Sequence, residues 1–181
     1  MKARDNNLYD LGISDLNKAI EINPEYAKAY LKRGVAYYSK YRKTGPYDLA
    51  IRDLNKAIEI NPKYAEAYHE RGIVYRKKGQ YDQAISDFNK AIEINPKNSH
   101  NYTYRGNIYR KKGQYDQAIR DFNKAIEINP EASGAYYSRR FVYLKKLGDK
   151  VKGCADLEIA CKSKSYLCRH YRRAQQNGDC P

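Results

Sequence analysis

Residues 63–96 read KYAEAYHERGIVYRKKGQYDQAISDFNKAIEINP, and the first half of this stretch has the pattern of an α-helix. Tyr68, Gly72 and Tyr75 follow one another at spacings of four and three residues. Such spacings place the three residues on one stripe of a helix. Gly79 follows two lysines and is predicted to end the helix, because glycine readily adopts the left-handed conformation found just beyond a helix terminus.

The second half has a helical stripe of its own. Its members stand at spacings of three, four and three residues and are Tyr81, Ala84, Phe88 and Ala91. Asn95 precedes Pro96, and a residue before proline avoids the helical region, so this helix is predicted to end there. Gly72 and Ala84 are small, which lets two antiparallel helices approach closely. One such pair cannot bury its stripe alone, whereas stacked copies bury it together.

The chain repeats this unit. The octapeptide NKAIEINP occurs at 17–24, 55–62, 89–96 and 123–130, and its closing prolines are separated by 38, 34 and 34 residues. The longer first interval reflects four extra residues around Tyr41–Pro46, which are predicted to lengthen the turn between the two helices of that copy. A fixed period of this length is typical of a repeat array.

These residues resemble the tetratricopeptide repeat, whose first helix (helix A) carries an aromatic residue, a glycine and a tyrosine. Its second helix (helix B) carries Tyr, Ala, Phe and Ala and closes on proline. Residues 97–130 match at Tyr102, Gly106, Tyr109, Tyr115, Ala118, Phe122, Ala125 and Pro130. Residues 25–62 match at Tyr30, Gly34, Tyr37, Tyr47, Ala50, Leu54, Ala57 and Pro62. The resemblance covers residues 9–165 and implies an all-α, right-handed superhelical solenoid of antiparallel helix pairs that acts by binding protein.

The repeat pattern sets the expected organisation. The segments are a lone helix B at 1–24, repeats at 25–62, 63–96 and 97–130, a degenerate repeat at 131–165, and a capping helix with tail at 166–181. Twelve tyrosines occupy pattern positions and are predicted to be core aromatics: Tyr9, Tyr30, Tyr37, Tyr47, Tyr68, Tyr75, Tyr81, Tyr102, Tyr109, Tyr115, Tyr136 and Tyr143. In the degenerate repeat, Arg140 replaces the helix A glycine and Gly153 the helix B alanine, so the pattern does not support close packing there.

Both ends are half-repeats. The first is predicted to expose Leu8, Leu11, Ile13 and Leu16, and the last to form a helix capped by Ser165 and stopped at Gly178. One interpretation is that both halves are solvating caps. The alternative is that Tyr171 and Arg172 of one copy pair with the first half-repeat of the next. Such a contact between unlike surfaces builds filaments or tubes, making the protein a self-assembling structural subunit.

All four cysteines lie in the last 28 residues. Cys154 and Cys161 stand where Ile85 and Ile92 stand in another copy, so one interpretation is that they are buried apolar residues. The other is a disulfide framework. Four cysteines allow three pairings, and hairpin geometry favours the nested one, Cys161–Cys168 with Cys154–Cys180. A zinc site with His170 fits no usual ligand spacing, and no metal is predicted.

The resemblance also implies a peptide-binding groove lined by helix A. The predicted groove residues are Leu31, Val35, Tyr38, His69, Ile73, Arg76, Lys77, Thr103, Asn107, Arg110, Lys111, Tyr137 and Phe141. This groove is basic in the middle and apolar towards both ends, which suits a partner segment with an acidic centre. Members that bind chaperone tails use a lysine and an asparagine where this chain has Leu31 and Val35, so that activity is not expected.

The composition narrows the function further. The net charge is +14, but lysine and arginine are scattered along the chain, which favours a solvated exterior over a nucleic-acid interface. No nucleophile–base motif, phosphate loop or metal-ligand spacing occurs, so neither an enzyme nor a cofactor is expected. No membrane span is expected. The predicted compartment is the cytoplasm if Met1 is the native start, and extracytoplasmic if the cysteines form disulfides.

Overall fold

The computed structural model describes residues 2–42, 45–163, 168–178 and 180 of the 181-residue chain. Within these ranges the chain forms ten α-helices and one π-helical turn. It divides into two compact units, residues 1–95 and 96–181. This all-α architecture of antiparallel helix pairs confirms the fold class predicted from the sequence.

The first unit holds five helices. They are α1 (Lys2–Ile22), α2 (Ala27–Tyr41), α3 (Asp48–Ile60), α4 (Ala65–Lys78) and α5 (Tyr81–Ile94). Each helix packs against the next, and α2 also contacts α4. The helices α2, α4 and their counterparts below are A helices, while α1, α3 and α5 are B helices.

The second unit repeats the arrangement. Its helices are α6 (Ser99–Lys111), α7 (Tyr115–Ile128), α8 (Ser133–Val142), α9 (Lys150–Ser163) and α10 (Cys168–Gln176), with a π-helical turn at Tyr143–Leu147. Consecutive helices pack together, and the A helices α6 and α8 also touch. The predicted cap Ser165 lies outside the described residues, whereas Gly178, the predicted stop, has a φ of 69°.

The repeated Asn-Pro pair ends the B helices. The side-chain oxygens of Asn23, Asn61 and Asn129 each accept a hydrogen bond from the backbone N–H two residues further on, at 3.0–3.1 Å. This local turn competes with helix continuation, and the following proline lacks the N–H that a further turn would need. These contacts explain the last two letters of the recurrent octapeptide.

Small residues let the paired helices meet. Leu54, Phe88 and Phe122 are fully buried on their B helices. A Cβ placed on Gly106 would lie 2.8 Å from Cε1 of Phe122, so glycine is required at this crossing. The close approach predicted from the small residues is therefore confirmed for the complete repeats, where Gly34, Gly72 and Gly106 lie against Leu54, Phe88 and Phe122.

In the degenerate repeat, other residues allow the close contact between the paired helices. Where the sequence suggested poor packing, Leu144 of the π-helical turn fills the space, and a Cβ on Gly153 would lie 2.3 Å from Leu144 Cγ. Gly153, at the position of the B-helix alanine, makes room for Leu144, and Leu157 remains fully buried at the position of Phe88 and Phe122. Arg140 points elsewhere, to a site described below. Close packing, which the pattern alone did not support in this repeat, is therefore present between Gly153 and Leu144.

Most pattern tyrosines are not fully buried. Only Tyr102 and Tyr136 of the twelve are buried, at 8% and 9% exposure, and the other ten are half-buried. The prediction of core aromatics was correct in position but too strong in burial. A tyrosine hydroxyl needs a polar partner, which keeps the ring at the edge of the core.

The open end of α1 exposes fewer residues than predicted. Leu8 and Leu11 are 71% and 62% exposed, as expected, but Ile13 is 8% exposed and Leu16 is half-buried. Ile13 lies on the side of α1 that packs against α2, which the sequence argument had not separated from the open side. None of the described helices is long and apolar enough to cross a membrane.

Two disulfides join α9 to α10 and to the segment that follows it. Cys154 bonds Cys180, and Cys161 bonds Cys168, with Cα–Cα distances of 5.5 and 4.4 Å. This is the nested pairing expected for an antiparallel hairpin. Both bonds lie within the second unit.

Candidate protein-binding site

One set of arginines on the A helices forms ion pairs and hydrogen bonds that join neighbouring helices. Arg71 donates from Nε and Nη2 to the two carboxylate oxygens of Asp87 at 2.9 and 2.7 Å, and from Nη1 to Asn55 Oδ1 at 2.6 Å. It therefore ties its own B helix, α5, to the preceding one, α3. The corresponding contacts join Arg33 to Asp53 and Asn17, and Arg139 to Asp156 and Asn123. The asparagines are the first letters of the recurrent octapeptide.

Tyrosines flank these arginines. The guanidinium carbon of Arg71 lies 5.5 Å from the ring centre of Tyr68 and 5.8 Å from that of Tyr75, within cation–π range. Burial raises the pKa of the Asp87 carboxyl above its ordinary value, although the hydrogen bonds from Arg71 oppose this. A pair with so large a desolvation cost adds little net stability, but it disfavours any other pairing of the helices. We therefore assign these arginines to register and not to partner binding.

A second set of arginines lies on the same helices but has different surroundings. In the second unit, Arg140 sits 4.3 Å from the ring centre of Tyr137 and 4.5 Å from that of Phe141. Arg110 of α6 lies 5.2 Å from the Phe141 ring. We call Arg110, Tyr137, Arg140, Phe141 and His170 the basic–aromatic cluster. Two guanidinium groups thus share one phenyl ring.

The charges of this cluster are not neutralised by the described part of the chain. Neither Arg110 nor Arg140 forms an ion pair with a described carboxylate, and the Nε of each is buried without a hydrogen-bond partner there. Among the described residues, Arg110 donates one hydrogen bond, to the amide oxygen of Asn107 at 3.4 Å. A buried donor without a partner is uncommon in folded proteins and is a reason to look for a ligand.

The disulfide-linked helix α10 completes the cluster. Its His170 ring lies 5.6 Å from the ring of Tyr137, which in turn meets Phe141 edge-on at 5.8 Å. The two disulfides therefore help to hold one wall of the site. In the described residues no group of three or more His, Cys, Asp and Glu side chains could hold a metal ion.

The structure distributes the predicted groove residues of the second unit around this cluster. Tyr137, Phe141 and Arg110 belong to it. Asn107 donates to the carbonyl of Thr103 at 2.9 Å, and the Thr103 hydroxyl donates to that of Ser99 at 3.1 Å. Both side chains satisfy their own helix, and they remain half-buried beside the cluster. Lys111 is exposed at the end of α6.

The predicted groove residues of the first unit differ in how deeply they are buried. Leu31 is fully buried in a core cluster with Ala67 and Val74 of α4, so it cannot line a binding surface, and its assignment was wrong. Val35 and Tyr38 are half-buried and pack against the same cluster.

The remaining predicted residues of this unit lie on α4. The ring of His69 meets that of Phe88 at 5.9 Å, so this histidine belongs partly to the core. Ile73 and Arg76 are half-buried, and Lys77 is exposed. The apolar end predicted for the groove is thus largely core, because consecutive A helices pack on each other there.

Sequence reasoning missed Arg140, which it treated only as a departure from the glycine pattern. The signal was present, since Arg140 lies three residues after Tyr137 and next to Phe141. It also missed the register arginines. Each of Arg33, Arg71 and Arg105 immediately precedes the pattern glycine, a recurrence that points to a shared contact.

Comparison with known families now decides the classification. A profile described as Tetratricopeptide repeat matches residues 65–98 and 102–131, and one described as TPR repeat matches residues 4–40 and 39–77. The chain belongs to the tetratricopeptide repeat family. This membership implies a protein–protein interaction scaffold, and tetratricopeptide proteins are in general not catalysts.

Solved structures agree with the classification. A crystal structure of MamA is 26% identical, with 93% of this chain and 95% of that chain covered at a TM-score of 0.74. A second MamA structure is 26% identical over 93% and 89% of the two chains, at 0.71. TTC0263, a thermophilic TPR protein from Thermus thermophilus, shares the fold at 18% identity and a TM-score of 0.72, with 97% and 100% of the chains covered. A search of curated proteins found no match.

Proposed function

We propose that this tetratricopeptide protein is a non-enzymatic scaffold that binds an acidic segment of a partner protein at the basic–aromatic cluster. The observation that carries the proposal is a contrast within the second unit. Arg105 and Arg139 each donate to a buried aspartate, at 2.6–2.8 Å. Arg110 and Arg140, on the same two helices, contact aromatic rings instead. The second pair of charges is the one available to a ligand.

The chemistry of the cluster suits a carboxylate. A guanidinium group offers parallel N–H donors that match the two oxygens of Asp or Glu. Stacking on Tyr137 and Phe141 fixes the arginine side chains before binding, which lowers the entropy lost when a partner is held. The same rings offer apolar surface to residues that flank an acidic centre. The net charge of +14 also attracts an acidic segment from a distance.

A peptide titration tests this function. The probe is a fluorescently labelled peptide with three central glutamates flanked by leucines, titrated with the full, non-reduced chain at low salt. We expect the double variant Arg110→Gln/Arg140→Gln to bind at least about tenfold more weakly than the wild type, since charge-assisted hydrogen bonds are lost.

The control removes two charges from elsewhere in the same unit. Arg120 and Arg173 are exposed and lie outside the cluster, so Arg120→Gln/Arg173→Gln should change the affinity less than about twofold, through long-range attraction alone. Equal losses in the two double variants would mean that bulk charge, and not the cluster, binds the probe.

A second proposed function is head-to-tail self-assembly into filaments or tubes. The exposed Leu8 and Leu11 of α1 support it, because exposed apolar residues that lie together often mark protein–protein interaction sites. Light scattering of the non-reduced chain over a concentration series distinguishes it from the scaffold function. A mass that climbs with concentration supports assembly, and a constant mass near 21.1 kDa excludes it over that range.

A further inference from the structure

The first helix is packed on one side and bare on the other. On the packed side, Ile13 is buried and Asn17 accepts a hydrogen bond from Arg33 of α2 at 2.7 Å. The other side carries Leu8, Leu11 and Ile22, which are 71%, 62% and 86% exposed. We call Leu8, Leu11, Gly12, Asp15 and Ile22 the open face of α1; their spacings of three, one, three and seven residues keep them on one side of the helix.

The homologous helix α3 shows what such a face normally meets. The segment YDLGISDLNKAIEINP at 9–24 differs from YDLAIRDLNKAIEINP at 47–62 at two positions, so α1 keeps nearly every contact residue of a B helix. In α3, Ala50 and Asp53 lie under helix A of the same repeat, at 0% and 1% exposure. Their counterparts in α1 are Gly12, which has no atom within 4 Å of an added Cβ, and Asp15, whose side chain is 80% exposed.

The aspartate identifies the missing contact. In the repeats that are complete, this carboxylate receives two hydrogen bonds from the arginine of the sequence Tyr-x-x-Arg-Gly, and the glycine of that sequence allows the close approach. For Asp15, the described contact is Lys18 at 4.0 Å, an exposed pair one helical turn away. Such surface pairs contribute little.

We infer that the open face of α1 binds a helix that carries Tyr-x-x-Arg followed by a small residue, with the arginine bonded to Asp15. The bound helix takes the place of a helix A and completes the first repeat. Its arginine lies over Asp15, its small residue lies over Leu16, and its apolar residues cover Leu8 and Leu11. This surface shares no residue with the basic–aromatic cluster and selects for a cation where the cluster selects for an anion.

The C-terminal helix of a second copy does not match this description. Eighteen residues separate the aspartate of one repeat from the arginine of the next, and eighteen residues after Asp156 stands Ala174, followed by Gln175. In this register, α10 therefore has an alanine at the arginine position and a glutamine at the glycine position. Assembly through α10 would leave Asp15 unpaired and would place a glutamine where glycine is needed.

A double-mutant cycle tests the inference on the full, non-reduced chain. The probe is a labelled synthetic peptide of residues 63–80, which contains Tyr68, Arg71 and Gly72, titrated up to about 1 mM because ordering a short helix on binding weakens affinity. We expect saturable binding that weakens at least about tenfold with protein variant Asp15→Asn or with peptide variant Arg71→Gln. Combining the two changes should cause little further loss, because both remove the same contact.

The matched control is Asp10→Asn, which removes a carboxylate from the packed side of α1, where it is bonded to Lys40. This variant should bind the peptide as the wild type does. Absence of saturable binding, or binding that Asp15→Asn leaves unchanged, would overturn the inference. Equal binding of a peptide of residues 168–178 with Cys168→Ser would also overturn it, in favour of a second copy as the occupant.

Discussion

Arg139 donates two hydrogen bonds to Asp156 across a sequence separation of 17 residues, whereas Arg105 reaches Asp121 across 16. The π-helical turn at Tyr143–Leu147 lies between Arg139 and Asp156. A π-helical turn accommodates one residue more than an α-helical turn, so it absorbs the insertion without moving the ion pair. The backbone departs from regular geometry and the pair stays in place, which indicates that this pair sets the register of the helices.

Replacing aspartates at equivalent repeat positions should lower the free energy of unfolding by different amounts, depending on whether the aspartate forms an ion pair with an A-helix arginine. The change Asp87→Ala leaves the half-buried Arg71 without its carboxylate and should lower the free energy of unfolding by about 3 kcal/mol. The change Asp15→Ala, at the same repeat position but on the open face of α1, should alter it by less than about 0.5 kcal/mol. Urea unfolding followed by circular dichroism measures both. Similar losses in the two variants would contradict the assignment of the pairs to register.

Replacing Gly106 or Gly12 by alanine should change the free energy of unfolding in opposite directions. In Gly106→Ala the new methyl group collides with Phe122, and we expect a loss of about 1–3 kcal/mol. In Gly12→Ala the new methyl group meets nothing within 4 Å, and replacing glycine inside a helix should add about 0.5–1 kcal/mol. The two melting temperatures should therefore move in opposite directions. A loss of stability in Gly12→Ala would show that the open face of α1 is already covered.

The repeat architecture could be predicted from the sequence because its period and its small residues are local signals. The positions of Gly106 and Phe122 and the helix ends at the Asn-Pro pairs followed from spacing, whereas the nested disulfides were one of two interpretations that the sequence left open. The basic–aromatic cluster could not be predicted in full. It depends on Arg140, which stands at the pattern position of a glycine shortly before the π-helical turn, and the one-residue insertion is visible only once the ion pairs are known.

The burial of Leu31 was missed for a related reason. Stripe arguments identify the face of a helix that meets its own partner, but the next A helix covers a second face. The position of Leu31 is occupied by His69, Thr103 and Tyr137 in the other copies, so composition gave no uniform sign of burial. Leu31 and Arg140 both show that contacts between successive repeats are harder to predict than contacts within one.

Glu70 makes stability depend on pH. Burial raises the pKa of its carboxyl above the ordinary value of 4.5. The stability contributed by its protonated form is therefore present in acid and is lost as the pH rises through the folded-state pKa. At pH 7 the ionised group is a cost, so Glu70→Gln should raise the urea midpoint there, and the gain should shrink at about pH 3.5.

The control for this experiment is Glu93→Gln, because Glu93 is exposed, pairs with Lys90 at 2.8 Å and is not among the charges that shift the pKa of Glu70. It should change the midpoint little at either pH. A gain in Glu70→Gln that is equally large at both pH values would contradict burial of a charged carboxylate as its cause.

The disulfide that closes the longer loop should stabilise the second unit more than the other, because the entropy removed from the unfolded chain grows with the logarithm of loop length. The bond Cys154–Cys180 spans 26 residues and Cys161–Cys168 spans 7. The chain-entropy relation gives about 3.5 kcal/mol for the longer loop and about 2.4 kcal/mol for the shorter. Replacing both cysteines of one bond by serine at a time, and measuring thermal unfolding, should therefore show the larger loss for Cys154→Ser/Cys180→Ser. A larger loss for Cys161→Ser/Cys168→Ser would mean that the disulfide between the end of α9 and the start of α10 contributes more stability than the longer loop does.

The most direct test of the proposed binding function is nuclear magnetic resonance of the arginine Nε–H groups during titration with the acidic peptide. If the basic–aromatic cluster holds the carboxylates, the Nε–H signals of Arg110 and Arg140 shift as the peptide is added, while that of the exposed Arg120 does not. The register arginines Arg105 and Arg139, already bonded to aspartates, should also stay unchanged. Uniform shifts of all arginine signals, or shifts confined to exposed arginines, would contradict the account.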